Sequence, residues 1–214
     1  MFGGDLPEAI PIFPLSGALL LPRGVLPLTI FEPRYLRMVS NAMANERMIG
    51  MIQPLVTETP AGKPDLYQTG CVGRITAFNE TEGGHFLIML TGVSRFDIAR
   101  ELPEHDGYRR VIADYSRFSE DPKPEPTDQI DRSHLLDVLR LFIKRNAVEV
   151  EWEAVTALAD EPLVISLTMT CPFAANEKQA LLECQSLAER SRVLTTLLEM
   201  TLLAPDLGVN AQPN

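Results

Sequence analysis

The stretch Ser119-Glu120-Asp121-Pro122-Lys123-Pro124-Glu125-Pro126-Thr127 separates two textures in a chain of 214 residues. Prolines at alternate positions remove backbone donors and fix φ, which breaks helices and sheet ladders alike. Each proline also pushes the residue before it toward extended backbone. The stretch therefore reads as an extended, semi-stiff hinge. A boundary here gives residues 1–120, residues 121–204 and a tail, 205–214, whose Gly, Asn and Pro content marks it as frayed.

Before the hinge the sequence predicts strands at Ala9–Phe13, Val25–Ile30, Met48–Gln53, Thr69–Asn79, His85–Thr91, Ser94–Arg100 and Tyr108–Phe118. Val111, Ala113 and Tyr115 alternate with Arg110, Asp114 and Ser116, the period of a half-buried strand, with Ile112 the exception. Glu80-Thr81-Glu82-Gly83-Gly84 reads as a hairpin connection. Closely spaced strands with short turns suggest a small antiparallel barrel or sandwich. One helix interrupts them: Pro33 suits a first helical position, and Tyr35, Leu36, Val39, Ala42 and Met43 follow helical spacing.

After the hinge the pattern is helical. Leu135, Leu136, Val138, Leu139, Phe142 and Ile143 form one apolar face, and a short helix is expected over Val150–Ala159. Asn176 with Gln179 and Ser186 with Glu189 have capping-box spacing, and Pro205 ends the last helix.

Composition narrows the function classes. Nineteen Lys and Arg oppose 29 Asp and Glu, a net charge of −10, with −3 before the hinge and −7 after it. Neither half offers the positive field that phosphate-dominated binding or an anionic membrane surface requires. The longest apolar run is five residues, Phe86 to Leu90, whereas a spanning helix needs about twenty. Met1-Phe2-Gly3-Gly4-Asp5 lacks the charged and apolar regions of a signal peptide. Cys71, Cys171 and Cys184 are odd in number and widely spaced, which reads as reduced, buried thiols in a cytoplasmic protein.

Catalytic signatures do not emerge. No glycine run precedes Lys and Ser or Thr, and no GxGxxG occurs. Gly92-Val93-Ser94-Arg95-Phe96 supplies only half of a nucleophile elbow and sits between strands. His85, His105 and His134 lie far apart in the sequence. Neither metal nor cofactor is expected, and no catalytic residue is assigned.

Read in order, the first half runs Ile10-Pro11-Ile12-Phe13-Pro14-Leu15, Leu21-Pro22-Arg23-Gly24-Val25-Leu26-Pro27-Leu28, Ile30-Phe31-Glu32-Pro33-Arg34-Tyr35, Gly70-Cys71-Val72-Gly73-Arg74-Ile75 and Leu90-Thr91-Gly92-Val93-Ser94-Arg95-Phe96. The second contributes Glu177-Lys178-Gln179-Ala180-Leu181-Leu182-Glu183 and Leu187-Ala188-Glu189-Arg190. This order resembles the N-terminal substrate-recognition domain of Lon-type ATP-dependent proteases over residues 8–203. The resemblance implies an α+β fold: a PUA-like antiparallel β-barrel with an inserted helix, followed by a C-terminal α-helical bundle. It implies binding of unfolded or degron-bearing protein or peptide in quality control, with a separate protease or ATPase as a further partner. The Walker A loop and Ser–Lys dyad of a full Lon protease have no counterpart here, so the expectation is a stand-alone, non-enzymatic protein-binding module.

Phe31, Arg34 and Tyr35, where a strand turns into the inserted helix, are the candidate partner-binding residues, together with the single tryptophan, Trp152. Arg and aromatic side chains are common interface anchors. The competing reading makes Phe31 and Tyr35 filling of a barrel–helix seam, Arg34 a solvated residue and Trp152 part of the bundle core. The Thr57–Asp65 loop, with Pro60, Gly62 and Pro64, reads as a further candidate contact or as a linker alone. The rival functions are RNA binding through Arg74, Arg95, Arg109 and Arg110, and an unrecognised hydrolase.

Overall fold

The alternating segments of the first half become six strands of one sheet: β1 (Ala9–Pro14), β2 (Val25–Ile30), β3 (Met48–Ile52), β4 (Thr69–Glu80), β5 (Phe86–His105) and β6 (Tyr108–Asp114). The computed structural model describes residues 6–55 and 63–203. Met1–Asp5, most of the Thr57–Asp65 loop and the 205–214 tail with Pro205 lie outside the described residues.

The sheet runs β2-β5-β4-β3-β1-β6, and β6 pairs back onto β5. The circuit β5-β4-β3-β1-β6 is therefore closed, and β2 hangs on the outside of β5 with one edge unpaired among the described residues. Closure depends on β5 being a single strand rather than the two that were expected. Its first half pairs with β2 and with the end of β4, and its second half pairs with the start of β4 and with β6. Register shifts at Val72/Gly73, Ile75/Ala77, Ile98/Arg100 and Leu102/His105 bend the ribbon around the ring. The expected antiparallel sheet needs one correction: β1 and β3 run parallel. Parallel neighbours need a long crossover, and β2 with α1 (Pro33–Ala44) provides it.

Two apolar clusters cover the two faces of this sheet. Inside the ring lie Ile10, Ile12, Val72, Val111 and fully buried Phe96. A Cβ at Gly50 or Gly70 would come within 3.0 Å of the Phe96 ring, so only glycine lets these strands pass it. On the other face α1 buries Tyr35, Met38, Val39 and Ala42, spaced by three and four residues, against Leu19, Leu20 and Leu21.

The second half forms α2 (Arg132–Arg145), α3 (Trp152–Ala157), α4 (Asp160–Thr170), α5 (Ala175–Glu183) and α6 (Leu187–Leu203). Asp131 caps α2 by accepting the His134 N–H. Ser186 Oγ accepts the Glu189 N–H at 3.1 Å, as its spacing predicts, and Glu189 in turn accepts the Gln185 N–H at 2.6 Å. The Asn176/Gln179 signal misleads. The helix starts two residues earlier, where the Glu177 carboxylate accepts the Ala174 N–H at 2.7 Å. Gln179 is buried and donates to the Thr69 carbonyl in β4 at 3.1 Å. The helix expected over Val150–Ala159 is shorter, and α4 follows it directly.

The hinge also departs from expectation. Residues 119–123 form turns, with Asp121 N–H donating to the Phe118 carbonyl at 3.0 Å. Asp121 is 5 % exposed. Its carboxylate accepts the Arg95 backbone N–H at 2.8 Å, Arg95 Nε at 2.9 Å and Arg95 Nη2 at 2.6 Å. Arg95 Nη1 donates to the carbonyls of Leu182 and Cys184, and its guanidinium lies 4.6 Å over the Phe118 ring. One arginine thus ties β5, the hinge and the end of α5 together. Burial is the largest influence on Arg95 and opposes its ionisation, but the hydrogen bond and the negative charge of Asp121, with smaller help from Cys71 and Glu125, together overcome it and raise the arginine pKa.

Candidate functional site

An apolar cleft of about 420 Å³ lies between the strand half and the helical half. One wall is the start of β2, Val25 to Pro27, and the other is α4 with Pro162, Ile165 and Met169. Leu158 and Val25, 38 % and 48 % exposed, stand at its mouth.

The walls are held apart by defined contacts. Gly24 packs so closely on α4 that a Cβ there would meet Met169 Sδ at 2.3 Å. Arg23, with φ of 65°, turns the chain into β2. Left-handed backbone is costly for a side chain with a Cβ, of order 1–2 kcal/mol, so the neighbours must hold it there. Arg23 Nε donates to Glu161 in α4 at 2.8 Å, and Nη1 donates to the Asp121 carbonyl in the hinge. Arg23 thus connects β2, the hinge and α4 at one end of the cleft.

A second, smaller cavity of about 180 Å³ continues along β2. It is lined by Phe13 and Leu15, by Leu28 to Phe31, and by Arg34 and Tyr35 of α1. Three of the four sequence-predicted residues therefore meet on one rim. Phe31 is 61 % exposed, with its ring 6.1 Å from the His85 ring. Arg34 lies 4.6 Å over the Tyr35 ring and pairs with Glu32 at 2.9 Å. Tyr35 is 7 % exposed and packs on Phe13 at 4.2 Å between ring centroids. Burial pushes its hydroxyl above the ordinary tyrosine value.

Trp152 is not brought to that rim. It opens α3, packs on the helical cluster and carries the Arg140 guanidinium 4.7 Å over its ring. Each of the four arginines that could contact RNA is already engaged within the chain. Arg95 is buried against Asp121, and Arg109 makes two bonds to Glu101 and one to the Pro64 carbonyl. Arg74 and Arg110 donate to the carbonyls of Glu46 and Pro103.

The residues that sequence reasoning missed are those of α4. A signal existed: Asp160-Glu161-Pro162 places two acids and a proline in a first helical turn. The apolar pattern hid it, because consecutive Leu163, Val164 and Ile165 are all buried and no polar stripe marks a helical period.

The thiols are buried: burial raises all three cysteines, with Cys171 pushed up to about 11. Among the described residues no three His, Cys, Asp or Glu side chains converge as a metal site. No helix among them is long and apolar enough to cross a membrane.

Comparison with known proteins agrees with this architecture. The family model of the ATP-dependent protease La (LON) substrate-binding domain matches residues 9–200. A Lon protease of Desulfosudis oleivorans is 26 % identical over 212 residues, covering 97 % of this chain but 26 % of that protein. The chain thus spans about a quarter of the length of the curated relatives it matches. Two solved structures share the fold. The Lon N-terminal domain protein from Xanthomonas campestris has a TM-score of 0.61 at 21 % identity, covering 92 % of this chain and 99 % of that one. The N-terminal domain of Mycobacterium avium complex Lon protease has a TM-score of 0.64 at 19 % identity, covering 90 % and 98 %.

Proposed function

The chain belongs to the ATP-dependent protease La (LON) substrate-binding domain family, and from that premise we propose that it is a recognition module for unfolded or degron-bearing polypeptide. The observation that carries this reading is the apolar cleft of about 420 Å³ between β2 and α4. Binding clefts are mostly apolar with a few placed polar groups, and this one joins apolar side chains to an exposed strand edge. We read the closed sheet as a PUA-like barrel and the helices after the hinge as a bundle that supplies the second wall. On this reading residues 1–120 and 121–204 are subdomains welded at Arg95 and Asp121, and the cleft is the seam between them.

The chain itself has no catalytic part in this proposal. It captures a segment and presents it to an ATP-dependent protease or ATPase, in cytoplasmic protein quality control.

The test is fluorescence anisotropy with fluorescein-labelled β-casein, a natively unfolded protein. Saturable binding without fragmentation of the casein is expected. Val25→Glu and Leu158→Glu put charge into the mouth of the cleft at exposed positions, so the fold should persist while affinity drops at least tenfold. Absence of casein binding, or unchanged affinity in both variants, would overturn the proposal.

A further inference from the structure

Which groups of β2 face the cleft is fixed by its hydrogen-bond register. Pro27 pairs with Met89 across the β2–β5 ladder. A proline cannot donate, so Pro27 occupies a position whose backbone faces away from β5. Gly24 gives the same answer independently: its carbonyl accepts the Gly92 N–H at 2.8 Å. Counting in twos, Gly24, Leu26, Leu28 and Ile30 bond inward to β5, while Val25, Pro27 and Thr29 point outward. Among the described residues nothing pairs with those outward groups. They comprise the N–H of Val25 and Thr29 and the carbonyls of Val25, Pro27 and Thr29.

Both cavities along β2 lie on this side. The larger is lined by Val25 to Pro27 and the smaller by Leu28 to Ile30, and neither is lined by any residue of β5. The unpaired edge is thus flanked along its length by apolar volume, with α4 opposite one part and Phe13 to Leu15 opposite the other.

We propose that the β2 edge takes one extended polypeptide segment as an added strand, read through its main chain at Val25, Pro27 and Thr29. This deepens the recognition role proposed above and rests on it. Main-chain pairing explains how one cleft accepts many sequences, because every non-proline residue offers the same N–H and C=O. Val25 to Thr29 spans about 17 Å at strand rise, so roughly five residues are held. Alternate side chains of the segment fall into the two apolar cavities.

Charge completes the description of the occupant. The chain carries −10, and the two arginines nearest the edge are already closed by carboxylates, Arg23 by Glu161 at 2.5 Å and Arg34 by Glu32 at 2.9 Å. Neither is left for an acidic segment. The occupant is apolar in its centre and neutral or basic at its flanks. Pro27 also has a role: its missing donor leaves one rung of the added ladder unmade, which keeps capture reversible.

The probe is a Lys-flanked heptapeptide of alternating Val and Thr, titrated into the full chain. Thr29→Pro removes an outward donor without touching the β5 ladder, and should weaken binding at least fivefold with an unchanged circular dichroism spectrum. Pro27→Val supplies the missing donor and should tighten binding about three- to tenfold, a gain that misfolding cannot imitate. N-methylating alternate peptide amides should abolish binding in one phase and spare it in the other. A Glu-flanked peptide should bind at least tenfold more weakly.

Unchanged affinity in both Thr29→Pro and Pro27→Val, with binding still lost in Val25→Glu, would overturn edge pairing and leave the cleft reading standing. Loss of the casein response itself would overturn both. A wild-type dimer that Thr29→Pro dissociates without altering peptide affinity would assign the edge to a second copy and overturn the proposal.

Discussion

Replacing Asp121 with Ala removes the carboxylate around which the hinge is built. Asp121 and Arg95 have side chains 5 % and 6 % exposed, so water cannot substitute for the lost oxygens. Three Arg95 groups lose their acceptor: the backbone N–H at 2.8 Å, Nε at 2.9 Å and Nη2 at 2.6 Å. Nη1 keeps its two carbonyls, but the guanidinium charge remains buried without its contacting counter-charge. Neighbouring Arg190, itself 2 % exposed, adds repulsion, and its Nη2 has no hydrogen-bond partner among the described residues. Stranding one member of a buried pair costs about 3–5 kcal/mol. For a chain of this size each kcal/mol moves Tm by roughly 2–4 °C, so Tm should fall by about 6–20 °C in a calorimetric scan. The double variant Arg95→Met with Asp121→Leu should recover most of the loss, because it removes the stranded charge along with its partner. Lys123→Ala, which breaks an exposed pair three residues apart in the same hinge, serves as the control and should cost less than about 0.5 kcal/mol. A drop below about 2 °C for Asp121→Ala, or no recovery in the double variant, would refute the view that this pair welds the hinge.

Other expectations follow from particular side chains. Tyr35→Phe should leave stability and casein binding nearly unchanged, whereas Tyr35→Ala should cost about 3–5 kcal/mol in urea unfolding, because the ring fills the seam against Phe13. At pH 8 a thiol pushed up to about 11 is only about 0.1 % thiolate, so a disulfide-exchange reagent should leave Cys171 unlabelled until guanidinium unfolds the chain. The Arg109 bonds hold the Glu101 carboxyl below its ordinary value of 4.5. A depressed folded-state pKa stabilises above the unfolded value and is lost as pH falls through the folded one. Glu101→Gln should therefore flatten the acid limb of Tm against pH below about 4.5, modestly because the pair is partly exposed.

What was readable and what was not divides by range. The α1 face shows in sequence at Tyr35, Val39 and Ala42, which lie within three turns of one another, while Met38, outside the expected set, is buried and the expected Leu36 and Met43 are half-buried. The α6 cap shows because Ser186 and Glu189 are three residues apart. The Asn176/Gln179 signal failed for the opposite reason: Gln179 is held by Thr69, 110 positions away, and no local pattern records that tie. Of the four candidate partner-binding residues, Phe31, Arg34 and Tyr35 sit together because they are neighbours in the chain, while Trp152, a candidate by composition, packs elsewhere.

The order of strands before helices, the proline break and the acidic balance belong to the sequence alone, since each is set by local steric preference or by counting charges. Tertiary structure decided that β5 is one bent strand closing the sheet, that β1 and β3 are parallel, and that the hinge is an anchored turn. It also decided the cleft, because a cavity is the space left by elements distant in the chain. Arg23 reaches Glu161 across 138 positions, and only the folded chain makes β2 and α4 two walls of one site.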